Sequence, residues 1–303
     1  MQFNKNKTVI ILWAVVAVLC IAPMLLNAQT LDRIKSSGTI NIGYVPDEAP
    51  FSSGSSSAPV GYSIELGKRI AEATQGELGL ASLKINYIST DLASSFDKIA
   101  EGKIDLLCGA ATETLARRKK VAFSIPIYNG GIGVLLRDKA APDLIRVLNG
   151  EKAHQGPVWR ATVNQGLANH TYAVHKGTVT EEWVRDQIKT LGVVATIVTV
   201  DTHAEGVEKV AKKKADAYFA DRVMLISYAE QNAKAKDLMV LDRYFTYEPI
   251  ALGLARNDDD FRLTVDVALS ELYQSDAFMP IYSTYFGAPS DMTLVAFKMF
   301  SRD

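Results

Sequence analysis

Apolar residues arrive along this chain in short runs with two periods, and the periods alternate. Thr39–Val45 (TINIGYV) and Lys84–Ser89 (KINYIS) read as strands, while Ile104–Gly109 is a nearly continuous apolar run suited to a strand covered on both faces. Between them, Ile64, Leu66, Gly67 and Ile70 recur at helical spacing over Ser63–Ala73, and Ser94–Gly102 predicts a short helix closed by Gly102. Leu31–Lys35 predicts an opening helix, and the Ser/Gly/Pro-rich stretch Ser52–Pro59 predicts a flexible turn. The same grammar returns later, with strands at Tyr172–Val174, Val193–Val200 and Ala217–Ala220 and helices at Thr180–Thr190 and Glu205–Lys213. One unit recurs in kind as FDKIAEGKIDLLCG and VEKVAKKKADAYFA: helix, basic turn, Asp, apolar strand. This echo predicts an α/β protein of two similar lobes, each a mainly parallel sheet flanked by helices. In such sheets ligands settle beyond the carboxyl ends of the strands, which points to the residues after Cys108-Gly109 and after Phe219-Ala220.

Residues 1–28 do not follow this grammar. Lys5 and Lys7 precede an unbroken apolar segment from Val9 to Ile21, and Leu26-Asn27-Ala28 offers a small residue before Gln29. That is the pattern of a secretory signal peptide. The 18 residues from Val9 to Leu26 also reach the lower edge of a bilayer span, about 17–25 residues, so an uncleaved anchor is the competing reading. The polar segment at Ala28 favours cleavage, and Leu19 before Cys20 disfavours lipid attachment. The 303 residues are 48% apolar and 22% charged, which excludes disorder, collagen and coiled coil and suits two domains. A formal charge of −1 gives no field to gather nucleic acid or an anionic membrane. Without residues 1–28 the chain keeps 31 basic against 34 acidic residues and a single cysteine, Cys108, so no internal disulfide is open to it. Cys108, in an apolar run, reads as a buried small hydrophobe. An exported, weakly acidic, disulfide-free chain fits a bacterial periplasm.

The sequence has no CxxC, HExxH, GxSxG or Walker loop, and its four histidines follow no metal spacing. No metal, cofactor or catalytic residue is assigned. Asp47-Glu48 and Asp258-Asp259-Asp260 read as turn and solvated charges. The constellation at the predicted strand ends is of another kind. Arg117 follows the first-lobe strand, and a guanidinium fork suits a carboxylate. Thr178 opens a helix whose N–H groups add donors for the same anion. Asp221, ending the second-lobe strand, suits an ammonium. Together they would hold a zwitterion. Each has a plainer reading: Arg117 as a solvated member of RRKK, Thr178 and Asp221 as helix N-caps.

Seven segments occur in order: GYVPDEAPFS (43–52), GYSIEL (61–66), GKIDLLCG (102–109), TETLAR (112–117), AFSIPIY (122–128), VHKGT (174–178) and YFAD (218–221). With them the chain resembles the periplasmic amino-acid-binding proteins of ABC importers, the bacterial family 3 solute-binding proteins, most of all their glutamate/aspartate-binding branch. The resemblance implies a type II periplasmic binding protein fold with two hinge strands, crossing near Gly131–Leu136 and Pro249–Leu254. It divides the chain into a signal peptide (1–28), lobe 1 (29–133 plus 250–303) and lobe 2 (134–249) with an insertion near 150–170. By similarity Arg117 and Thr112 bind the ligand α-carboxylate, the backbone near Ala110 and the Asp221 carboxylate hold the α-ammonium, and Thr178 donates on closure. Leu92 and His203 would line the side-chain pocket. The implied partners are an L-amino acid and the membrane subunits of an ABC permease, with no nucleic acid and a monomeric state. Binding by hinge closure is the implied activity; the alternatives are a dehydratase- or lyase-type enzyme on the same scaffold, with Glu48 as its acid, and an accessory protein without ligand.

The chain departs from the family pattern at three places. Val45 stands where many relatives carry a polar selector, Glu48 where many carry an aromatic lid, and an insertion with His154 and Trp159 follows Gly150. Glu48 sits between Pro46 and Pro50 and is expected to face water, whereas His203 leaves a strand end beside the cleft. An imidazole donating to a carboxylate or amide oxygen favours a polar ligand with an acid or amide side chain over lysine or arginine.

Overall fold

The computed structural model describes residues 29–151 and 166–302. The expected signal peptide with Cys20, and most of the insertion with His154 and Trp159, lie outside the described residues. The first elements are α1 (Thr30–Ser37), β1 (Thr39–Tyr44), β2 (Asp47–Glu48), β3 (Ser52–Ser55), β4 (Ala58–Val60), α2 (Tyr62–Glu77), β5 (Lys84–Ser89), α3 (Leu92–Ala100), β6 (Leu106–Leu107), α4 (Leu115–Arg118) and β7 (Ala122–Gly130). There follow β8 (Ile132–Arg137), α5 (Pro142–Leu148), β9 (Thr171–His175), α6 (Val179–Leu191), β10 (Thr196–Val200), α7 (His203–Ala211), β11 (Ala217–Asp221), α8 (Arg222–Glu230) and β12 (Leu238–Val240). The chain closes with β13 (Glu248–Leu254), α9 (Asp259–Gln274), α10 (Phe278–Phe286) and α11 (Asp291–Phe300).

These strands build two five-stranded sheets of one pattern, ordered β5-β1-β6-β13-β7 and β10-β9-β11-β8-β12. In the first, β1 runs parallel to β5 and β6, and β13 antiparallel to β6 and β7. In the second, β9 runs parallel to β10 and β11, and β8 antiparallel to β11 and β12. The α/β expectation of two similar sheets holds. The chain passes from the first sheet to the second at Gly131, where a Cβ would overlap the Thr246 carbonyl, so the two crossing segments touch. It returns over residues 241–247, just ahead of the expected stretch from Pro249, which is itself β13.

Both sheets are covered on both faces, as their apolar runs require. In the second, Ile132, Val134 and Leu136 of β8 pack with Tyr172, Val174 and Phe219, while Leu135 turns to the opposite face with Val207, Val210 and Tyr218. The repeated Asp has one job in both sheets. Asp105 accepts from the Asn41 N–H (2.7 Å) and from Arg33 (2.8 Å); Asp216 accepts from the Thr171 N–H (2.9 Å) and Arg137 (3.2 Å). Each ties one strand, β1 or β9, to the turn entering its parallel neighbour, β6 or β11. Cys108 is fully buried against Gly67, and burial pushes its thiol up out of reach of ionisation.

Two elements differ from expectation. Ser52–Pro59 is not a flexible turn: β3 and β4 form a hairpin that joins β2 in a small antiparallel sheet, held by Ser53 opposite Val60 and by the Tyr44 hydroxyl donating to the Gly54 carbonyl (3.1 Å). The Ile104–Gly109 strand shortens to Leu106–Leu107, flanked by the Asp105 and Cys108 N–H groups, which donate to the Asn41 and Gly43 carbonyls at 2.9 and 2.8 Å.

Candidate functional site

The carboxyl ends of the parallel strands of both sheets open on one narrow cleft with a cavity of about 40 Å³. All eight sequence-derived residues line it: Glu48, Leu92, Ala110, Thr112 and Arg117 from the first sheet and its loops, and Thr178, His203 and Asp221 from the second. His175, Val179, Thr180, Ala220 and Met224 complete the lining. None of these five carries a ligand-contact expectation from the sequence, although two, Val179 and Ala220, directly flank residues that do.

On the first wall, Thr114 caps α4 by accepting the Arg117 N–H (3.1 Å), which sets the Arg117 side chain against the cleft. Its guanidinium lies 5.1 Å above the Phe96 ring and donates to the Thr112 carbonyl at 2.8 Å. Unlike its exposed neighbours Arg118, Lys119 and Lys120, Arg117 is half-buried. Burial lowers its pKa, opposed by the carboxylates of Glu48, Glu182 and Glu248. The solvated reading of Arg117 does not hold.

Glu48 does not face water either. It is 4% exposed, and its Oε2 accepts the Ala110 N–H at 2.6 Å. Gly109 makes this seat possible, since a Cβ there would lie 2.5 Å from Oε2. Burial raises the Glu48 pKa to about 7, against the Ala110 N–H and the charge of Arg117; Asp47 adds to the rise. Asp47 is equally engaged. Its Oδ2 accepts the His203 N–H (2.6 Å) and its Oδ1 the Tyr228 hydroxyl (2.7 Å), so a residue of the first-sheet unit is bonded to two of the second. Solvation was the wrong expectation for this pair because the partners are remote in sequence. Asp258 is likewise buried, capping α9 through the Phe261 N–H and accepting the Thr30 N–H (2.8 Å), while Asp259 and Asp260 are exposed as expected.

On the second wall, Thr178 caps α6. Its Oγ1 accepts the Glu181 N–H (3.2 Å) and donates to the His175 carbonyl (2.7 Å), while Glu181 reaches back to the Gly177 N–H (2.8 Å). Its hydroxyl proton is therefore committed, and the anion-attracting feature here is the amino end of α6. Asp221 caps α8 through the Val223 N–H (3.1 Å) and accepts the Gly131 N–H at the strand crossing (3.0 Å). Burial raises its pKa to about 6 against these donors. His203 is the first residue of α7, whose cap is Thr202. The imidazole is 5% exposed, with Nδ1 2.6 Å from the Tyr218 hydroxyl. Burial, reinforced by His175 with ring centroids 4.7 Å apart, drives its pKa down to about 3, so the ring is neutral.

The cleft thus sets a half-buried guanidinium on one wall against a carboxylate and a helix amino end on the other. The model of the bacterial extracellular solute-binding proteins, family 3, matches residues 40–288. An L-glutamate/L-aspartate-binding protein of Pseudomonas aeruginosa is 25% identical over 280 residues, covering 91% of this chain and 86% of the relative. A glutamate/glutamine/aspartate/asparagine-binding protein of Rhodobacter capsulatus is 24% identical over 238 residues, covering 78% of this chain and 64% of the relative. Among solved structures, an ancestral amino acid-binding protein, a precursor of cyclohexadienyl dehydratase, superposes with a TM-score of 0.68 at 24% identity, over 86% of this chain and all of that one.

Proposed function

Because the chain belongs to the bacterial extracellular solute-binding proteins, family 3, we propose that it captures a polar L-amino acid in the periplasm and delivers it to an ABC permease. The observation that carries this reading is the opposition of Arg117 and Asp221 across one cleft, each fixed by its own loop and each drawn from a different sheet. In this proposal Arg117, with the Thr112 backbone and the amino end of α6 at Thr178, takes the ligand α-carboxylate. Asp221 takes the α-ammonium beside Ala110. Leu92, His203 and Glu48 face the side chain. Residues 29–133 with 250–303 form one lobe and 134–249 the other, hinged at the two crossings, and residues 1–28 export the chain.

Closure is favoured only as far as the ligand contacts both walls better than water does. A neutral imidazole keeps one N–H donor; with the Tyr218 hydroxyl donating to Nδ1, that donor is Nε2–H, suited to a carboxylate or amide oxygen. Together with the names of the relatives, this supports an acid or amide side chain. A thermal-shift screen of L-glutamate, L-aspartate, L-glutamine, L-asparagine, L-lysine and L-arginine tests the reading. A true ligand at 100 times its Kd stabilises by about 2.7 kcal/mol. A flat response to all six overturns the proposal, and a preference for lysine or arginine overturns the selectivity. The ligand is proposed to leave unchanged; a product seen by mass spectrometry and lost in Glu48→Gln would instead establish the enzyme alternative, which Glu48, with a pKa about 7, is placed to serve.

A further inference from the structure

Glu48 is enclosed by the cleft wall yet only half committed. Oε2 accepts the Ala110 N–H, whereas Oε1 has no hydrogen-bond partner among the described residues. No buried side-chain oxygen of these residues lacks a partner, so Oε1 opens onto the cavity. The carboxyl group therefore presents one oxygen to whatever fills the space beyond Arg117 and Asp221. Building on the amino-acid reading above, we propose that Glu48 is the residue with which the cleft distinguishes acid from amide side chains. Protonated, it donates to a ligand carboxylate; ionised, it accepts from a ligand amide.

The surroundings suit such a group. Among the described residues, Arg117 is the only cation lining the cavity, and Asp221, His175 and His203 are the titratable groups on it besides Glu48. Asp47 flanks Glu48, Tyr228 stands close to both, and Glu182 and Glu248 reach the site through Arg117. His203 is neutral. The apo carboxyl is already poised at about 7. A bound α-carboxylate neutralises Arg117, the one charge that favours ionised Glu48, and a second carboxylate in the side-chain pocket pushes Glu48 further towards its acid form. Glutamate binding above pH 7 then takes up a proton. Glutamine favours the ionised form, so its binding below pH 7 releases one.

The test is calorimetry with L-glutamate and L-glutamine from pH 5.5 to 8.5. Groups that contact the shared α-amino and α-carboxyl moiety, Asp221 and Arg117 included, cancel in the ratio of the two affinities. That ratio is expected to swing towards glutamine as pH rises through about 7, by up to about tenfold per unit. At pH 8, enthalpies in buffers of different ionisation heat should show close to one proton taken up with glutamate and none with glutamine. In Glu48→Gln the ratio should become flat. A wild-type ratio constant within twofold overturns the proposal, as does a slope that survives in Glu48→Gln, which would pass the effect to another group of the side-chain pocket. If that variant does not fold, the wild-type proton count decides alone, and zero uptake with glutamate overturns the proposal. Binding without proton linkage defeats only this inference; binding of no amino acid at any pH defeats the functional reading and this one with it.

Discussion

Arg117 illustrates how one side chain is readied before any ligand arrives. It spends a single N–H on its own loop at Thr112, rests on Phe96, and keeps its other donors for the cleft. Arg117→Ala should therefore weaken amino-acid binding by at least about thirtyfold, the lower end of the 2–5 kcal/mol lost when one partner of a buried charge pair is removed. Arg117→Lys should recover only part of this, because an ammonium lacks the fork. Calorimetry on both variants checks it, with thermal melts near wild type showing that the fold survives. Arg117, Thr178 and Asp221 were legible in the sequence because each sits at the edge of a periodic segment. Asp47 and Glu48 were not. Two prolines made a solvated turn the sound local reading, while the partners that bury the pair, Ala110 and His203, lie 62 and 156 residues away. No window along the chain contains them together.

At the scale of elements, the helices and parallel strands could be read because their periods are local. Ser52–Pro59 became a hairpin because a deciding bond comes from outside it, from Tyr44. The recurring helix–turn–Asp–strand unit is the exception in which a sequence echo does mark a tertiary device: Asp105 and Asp216 each bind one backbone N–H of the neighbouring parallel strand and one arginine. Removing either leaves a backbone donor without its partner, at a cost of about 1–3 kcal/mol. Asp105→Ala should cost more than Asp216→Ala, since the Asp105 side chain is 2% exposed and that of Asp216 33%. Urea unfolding of the two variants should rank them so; the reverse order would mean that the two lobes do not share this tie.

Across the whole molecule, the two sheets are joined by two crossings, by Met224 packing into the first-sheet core, and by Asp47, which bonds His203 and Tyr228 of the second-sheet unit. Asp47→Ala should speed ligand release by about fivefold or more while leaving association nearly unchanged, because closure bonds act after encounter. Stopped-flow kinetics separates the two rates, and equal changes in both would place Asp47 in the initial binding step instead. The two-sheet architecture was legible as a whole through the ordered family motifs, whereas the contact between the sheets was not. The order of strands along the chain also governs synthesis. β13 lies between β6 and β7, yet it is encoded after every strand of the second sheet. A chain made amino end first therefore possesses all five strands of the second sheet while the first still lacks the strand at its seam. A product cut short between residues 241 and 247 would carry β6 and β7 with unpaired edges, the feature that invites aggregation. Only a chain that has reached Leu254 can close its first sheet, so the seam at β13 is the last part of either sheet to be made.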